Sequence, residues 1–245
     1  MKLRLSQQFS LHFSFFIFPF AELFSSIHII IALSVNLDSY KKIVAELTAA
    51  NVRLIAVSKT KPAEEILELY NAGHRDFGEN YVGELVEKYE QLPKDIRWHF
   101  IGHLQSNKVK NIAPFVFVIH GVDSQKLLSE IDKQGRKINR VIDCLLQVHI
   151  ATEETKFGLD EEELHELLAR DTNGTPNVRI YGLMGMASFT DDLGKVRNEF
   201  RFLNSLYKMY PTLSILSMGM SADYKIAVEE GSNMVRIGSL LFGNR

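Results

Sequence analysis

The sequence predicts a single (β/α)8 TIM barrel, and three observations carry that expectation. Short apolar runs alternate eight times with helical stretches from residue 37 onward. Nothing is left over for a second core. No Gly-x-Gly-x-x-Gly turn and no acidic ribose partner follow the first strand, so the open doubly wound sheet is the second choice. At 245 residues the length is ordinary for one such barrel.

Taken in order, Leu37, Tyr40, Ile43, Val44 and Leu47 share one helical face, with Asn36 or Asp38 as cap. Residues 54–58 read as a strand buried on both faces. A helix from Pro62 to about Ala72 turns Ile66, Leu69 and Tyr70 inward and stops at Gly73. Residues 75–80 form a short second strand, Val82, Leu85, Val86 and Tyr89 mark the next helix, and residues 97–102 form the third strand. A helix over about 106–113 leads to a strand at 116–119 that ends in His120-Gly-Val-Asp123. Asp123 or Ser124 caps a helix striped by Leu127, Leu128 and Ile131. Residues 141–150 are expected to be the longest strand. The acidic run 160–163 starts the next helix as a solvated first turn. Residues 179–186 are the sixth strand, and Val196, Phe200, Leu203, Tyr207 and Tyr210 stripe a long helix ended by Pro211. Residues 213–219 are strand seven, a short helix closes at Gly231, and residues 234–238 are strand eight. The first helix can complete the outer ring as its eighth member.

Composition narrows the function. Basic and acidic side chains nearly balance, 28 against 30, which leaves no footprint for a nucleic acid. The single cysteine, Cys144, excludes a disulfide framework and fits a reducing, cytoplasmic compartment. Within an apolar strand it reads as packing rather than as a catalytic thiol.

Residues 1–36 are unlike the rest. Lys2 and Arg4 precede two apolar stretches broken by Pro19, Glu22 and His28. Neither stretch reaches the ~20 residues of a spanning helix, so no membrane anchor is expected. A signal-like leader and a start placed upstream of the true one remain, and the second is preferred because the first amphipathic helix begins cleanly at Leu37. The expected organisation is an atypical leader over 1–36 and a barrel over 37–245.

Lys59 stands where the first buried strand ends. A lysine there either snorkels or, desolvated, offers a free amine for a Schiff base. In a barrel, strands seven and eight commonly end in a phosphate site. Met218-Gly-Met-Ser221 and Arg236-Ile-Gly-Ser239 put Ser221, Ser239 and the flexible Gly238 at those two places. As isolated features they are turn glycines and caps; together they favour an anion. Closure sets strand eight beside strand one, so Lys59 neighbours that site. A lysine and a phosphate cradle on one rim suit pyridoxal 5′-phosphate (PLP).

Ala56-Val-Ser-Lys-Thr60, Phe77-Gly-Glu-Asn80, Trp98-His-Phe-Ile-Gly102, Leu104-Gln-Ser-Asn-Lys108, Gly182-Leu-Met184, Ser217-Met-Gly-Met-Ser221 and Gly231-Ser-Asn-Met-Val-Arg-Ile-Gly238 resemble the pyridoxal phosphate homeostasis proteins over residues 37–245. Their barrel is similar to that of alanine racemase. The resemblance implies Lys59 as the Schiff-base lysine, Ser221 and Ser239 as phosphate hydroxyls, and Met220 and Gly238 as sources of backbone amides. It also implies Arg236 beside the pyridine nitrogen and Asn80 in the pocket near the lysine. Ser239 stands where threonine is common and His103 where proline is common.

An arginine by the ring nitrogen disfavours its protonation and weakens the cofactor as an electron sink. Alanine racemase draws an opposing tyrosine base from a second domain, which is not expected here because strand eight ends seven residues before the last residue of the sequence. His99, His103, His120 and His149 could substitute, although strand and loop histidines are more often hydrogen-bonded structure. The expectation is a monomeric, non-catalytic PLP protein of cofactor homeostasis that serves PLP-dependent apoenzymes. A one-domain racemase or lyase is the alternative, and a cofactor-free Schiff-base aldolase the third reading.

Overall fold

The chain closes a parallel sheet on itself, strand by strand in sequence order. The computed structural model describes residues 35–151, 157–169 and 175–243. The expectation for residues 1–36 therefore lies outside the described residues except at Val35 and Asn36. Those two belong to the barrel: Val35 is buried, and the Asn36 N–H donates to the Leu241 carbonyl at 2.7 Å.

The order is α1 (Leu37–Ala49), β1 (Arg53–Val57), α2 (Ala63–Asn71), β2 (Asp76–Glu79), α3 (Val82–Gln91), β3 (Arg97–Phe100), a 3-10 turn (Ser106–Lys108) running into α4 (Val109–Ile112), and β4 (Val118–Val122). Then come α5 (Gln125–Lys137), β5 (Ile142–Gln147), α6 (Glu161–Ala169), β6 (Val178–Met184), α7 (Leu193–Lys208), β7 (Ile215–Ser217), α8 (Tyr224–Glu229), β8 (Met234–Ile237) and α9 (Ser239–Phe242). β1 pairs with both β2 and β8, with Ile55 opposite Arg236, and this closes the ring. The (β/α)8 expectation is borne out.

The caps follow from side-chain chemistry. Asn36, Ser124 and Asp192 accept the orphan amides of Ser39, Leu127 and Lys195. Asp160 and Glu163 bond each other's backbone N–H, a reciprocal capping box that explains the acidic start of α6.

Several strand ends differ from expectation. β4 begins at Val118 rather than 116, because the Val116 N–H turns back to Ile112 O and closes α4 first. β5 ends at Gln147, since the Gln147 carbonyl and the His149 N–H pair with Leu159 on the returning chain. Among the described residues the seven-residue β6 is therefore the longest strand. The short α9 had no counterpart in the sequence reading.

Alternation along the strands makes two cores. Outward residues such as Phe77, Trp98, Phe100, Cys144 and Leu216 pack under the helices. Inward residues Ile55, Val118, Leu145, Met184, Ile215 and Met234 fill the barrel. Buried Asp76, His99, His120, Ser217 and Arg236 join them there as a polar minority. Burial pushes the Cys144 thiol up, in keeping with its reading as packing.

Candidate functional site

Lys59 lies two residues past β1, where the strand ladder is just ending. The Ser58 N–H still donates to Gly78 O at 3.0 Å, and the Lys61 N–H turns back to Ser58 O at 3.0 Å. Between them Thr60 adopts φ +64°, a left-handed conformation that a β-branched residue rarely accepts. Its N–H is fixed by Glu84 Oε1 at 2.6 Å. The backbone that presents Lys59 is thus strained and held from both sides.

Behind that turn sits a cluster absent from the sequence reading. Lys88 of α3 donates to Glu79 Oε1 at 2.7 Å, to Glu84 Oε1 at 2.6 Å and to the Ser58 carbonyl at 2.8 Å. Ser58 Oγ donates to the same Glu79 oxygen at 2.6 Å. Burial pushes the Glu79 carboxyl up, and Lys88 and Ser58 pull it back only in part, leaving it at about 7. The Glu84–Lys88 spacing of four was the one sequence signal for this cluster.

Across the ring, the loop after β7 turns at Gly219, φ +96°, where a Cβ would meet Ala227 at 2.5 Å. The Met220 N–H donates to Asp223 Oδ1 at 2.6 Å, so this amide already faces an anionic oxygen. The Gly238 N–H donates to Ser221 Oγ at 3.2 Å, which ties the ends of β7 and β8 together. A Cβ on Gly238 would come within 3.2 Å of the Val57 carbonyl, so glycine keeps β1 and β8 in register here.

Arg236 is buried and locked. Its Nη1 donates to the Ser217 carbonyl at 2.9 Å and to Ser217 Oγ at 2.8 Å, and Nη2 donates to Gly185 O at 3.1 Å. Burial lowers the guanidinium to about 10, with Asp223 partly opposing, so it is charged at neutral pH. Two of its five N–H groups remain for a ligand.

All seven residues expected at the site, Lys59, Asn80, Met220, Ser221, Arg236, Gly238 and Ser239, line one cavity of about 330 Å³. Its apolar wall, Ile101, Met186 and Phe242, was not assigned to the site from the sequence, where Ile101 and Met186 read as strand residues and the short α9 that carries Phe242 had no counterpart. Asn80 Oδ1 is buried at the wall without a hydrogen-bond partner. Such an atom calls for a polar ligand group. A pocket of this size, apolar on one side with hydroxyls, an amide, an amine and a guanidinium on the other, fits a flat aromatic ring carrying an anionic arm.

The histidines do not enter this cavity. His99 and His120 bond each other inside the barrel, with Nδ1 to Nε2 at 2.9 Å. His103 stacks on Phe157 and bonds Asp123 at 3.1 Å. Among the described residues no group of three or more His, Cys, Asp and Glu could hold a metal.

Comparison with known proteins agrees with the geometry. The family model for the alanine racemase N-terminal domain matches residues 32–245. The chain is 45% identical over 199 residues to the pyridoxal phosphate homeostasis protein of Aquifex aeolicus, covering 79% of this chain and 87% of that one. It is 41% identical over 217 residues to the human protein of the same name, covering 82% and 79%. PipY of Synechococcus elongatus, solved with PLP bound, superposes with a TM-score of 0.77 at 34% identity, covering 86% of this chain and all of that one. An alanine racemase from Clostridium difficile shares the fold at a TM-score of 0.67 and 15% identity, with 86% of this chain matching 58% of that one.

Proposed function

The chain belongs to the pyridoxal phosphate homeostasis protein family, and from that premise we propose that it binds PLP in the cytoplasm as a monomer, holding it on Lys59 to buffer it or hand it to PLP-dependent apoenzymes without chemistry of its own. The observation that carries this reading is the convergence of Lys59, Asn80, Ser221, Ser239 and Arg236 on one cavity. The relatives' shared name and the PLP-bound PipY support the choice of ligand.

When bound, PLP supplies an aldehyde that condenses reversibly with an amine. Lys59 offers that amine from a turn held by Glu84 and backed by Lys88. Ser221 and Ser239 offer hydroxyls to the phosphate, and Gly238 lets it approach the backbone. Arg236, fixed by Ser217 and Gly185, would present its cation to the ring nitrogen and disfavour its protonation, which would withdraw the electron sink that racemisation or decarboxylation needs. His99 and His120, the candidate bases on strands, are committed inside the barrel. Among the described residues no helix is long and apolar enough to cross a membrane.

Absorbance spectra with and without added PLP, followed by borohydride reduction and peptide mapping, test this reading. The label is expected on Lys59, and Lys59→Ala should lose the chromophore while keeping weaker, phosphate-dependent binding. Label on Lys61 or Lys108 would displace the assignment. Rapid exchange of an amino acid's α-hydrogen with solvent deuterium would turn the reading toward a one-domain racemase or lyase.

A further inference from the structure

The polar minority inside the barrel forms a continuous line. Arg236 Nη1 lies 2.8 Å from Ser217 Oγ, Ser217 Oγ lies 3.4 Å from His120 Nδ1, and His120 Nε2 lies 2.9 Å from His99 Nδ1. His99 Nε2 lies 3.1 Å from Asp76 Oδ1, and Arg97 Nε bonds that same oxygen at 2.7 Å. The line crosses from β8 through β7, β4 and β3 to the first residue of β2, at the end of the barrel away from the cavity.

Its Asp76 end decides every proton along it. The carboxylate only accepts, so His99 carries its proton on Nε2 and donates to Asp76. The neutral ring is then bare at Nδ1 and accepts from His120 Nε2–H. His120, neutral as well, is bare at Nδ1 and accepts the single proton of Ser217, whose Oγ accepts in turn from Arg236. The reverse direction fails at Asp76, whose carboxylate has no proton to give. A proton added to His99 Nδ1 would face the His120 N–H.

Burial agrees with neutral rings. It holds His120 well below the ordinary imidazole value, and His99 and the Arg236 charge add to the lowering. Burial also lowers His99; Asp76 opposes this, while Arg53 and Arg97 reinforce it. Burial alone would raise Asp76, but bonds from Arg97 and His99 outweigh it and hold the carboxyl well below the usual range.

We infer that Asp76, His99, His120 and Ser217 form a one-way hydrogen-bond chain that orients the Arg236 guanidinium toward the cavity from the far end of the barrel, making them positioning residues for that arginine. The assignment of protons needs no ligand. The consequence for PLP rests on the function proposed above.

Two measurements on the full-length protein test it, and the first needs no cofactor. Long-range proton–nitrogen correlation spectra at neutral pH, with the two rings assigned through their own backbone resonances, should show both as the Nε2–H form. A proton on Nδ1 of either ring would overturn the chain. In the second, His120→Phe should weaken PLP binding roughly tenfold, the scale of one lost hydrogen bond, and should move the bound cofactor's absorption maximum. His120→Gln, which keeps a donor and an acceptor, should recover both. Parent-like affinity and spectrum in His120→Phe would overturn the positioning role. Should the parent bind no PLP while both rings are Nε2–H, the chain stands and the cofactor reading falls.

Discussion

Glu79 is a residue whose environment brings its titration to neutral pH. Its carboxyl, ordinarily at 4.5, sits at about 7 in the folded chain. Between those values the folded state binds more protons there than the unfolded state, so stability from this group is full below 4.5 and falls as pH rises toward 7. Relative to Glu79→Gln, the parent should lose on the order of 1–3 kcal/mol across that window, read as urea midpoints at pH 4.5 and 7.5. Equal slopes for parent and variant would mean that Lys88 keeps Glu79 ionised throughout. Ser221→Ala removes the acceptor of the Gly238 N–H as well as the hydroxyl proposed for the phosphate, so PLP affinity should fall about tenfold. Pyridoxal without its phosphate should not register the change. At this scale the site was legible in the sequence because Lys59, Ser221, Arg236 and Ser239 sit at strand ends that closure brings together. Lys88 was illegible, because a lysine on a helix is read as solvent-facing unless its buried anion, here on another strand, is already known.

Among the elements, the strands were legible and their ends were not. Apolar runs reveal β4 and β5, but where a ladder stops depends on competing backbone acceptors: Ile112 O draws in Val116, and Leu159 pairs with His149. No local pattern encodes those long-range choices. α9 escaped for a related reason, since its four residues are too few to display a period. Contact between elements also rests on residues with no side chain. A Cβ on Gly102, just after β3, would lie 2.3 Å from the Asn80 carbonyl. Gly102→Ala must therefore push apart the loops after β2 and β3, and should cost about 1–3 kcal/mol while displacing Asn80 from the cavity. Thermal melts and PLP titration should both register it. A loss of stability with unchanged affinity would show that Asn80 is not needed for the ligand.

For the whole molecule, the alternation of eight strands and helices was enough to name the architecture, because few arrangements other than a closed ring bury so many two-faced strands at once. The described residues close that ring themselves, with Val35 buried and Asn36 bonded to Leu241. A chain beginning at Val35 should therefore keep the urea midpoint and the PLP affinity of the full sequence, and a drop in either would show that the preceding residues contribute to the fold. The pairing of β1 with β8 bears on how the molecule is made. A ribosome delivers β1 first and β8 after the other seven strands, so the lysine waits through nearly the whole of translation for the wall that faces it. A nascent chain halted before residue 234 carries Lys59 but neither Arg236 nor Ser239, so the cavity they line together is unfinished until translation is nearly complete.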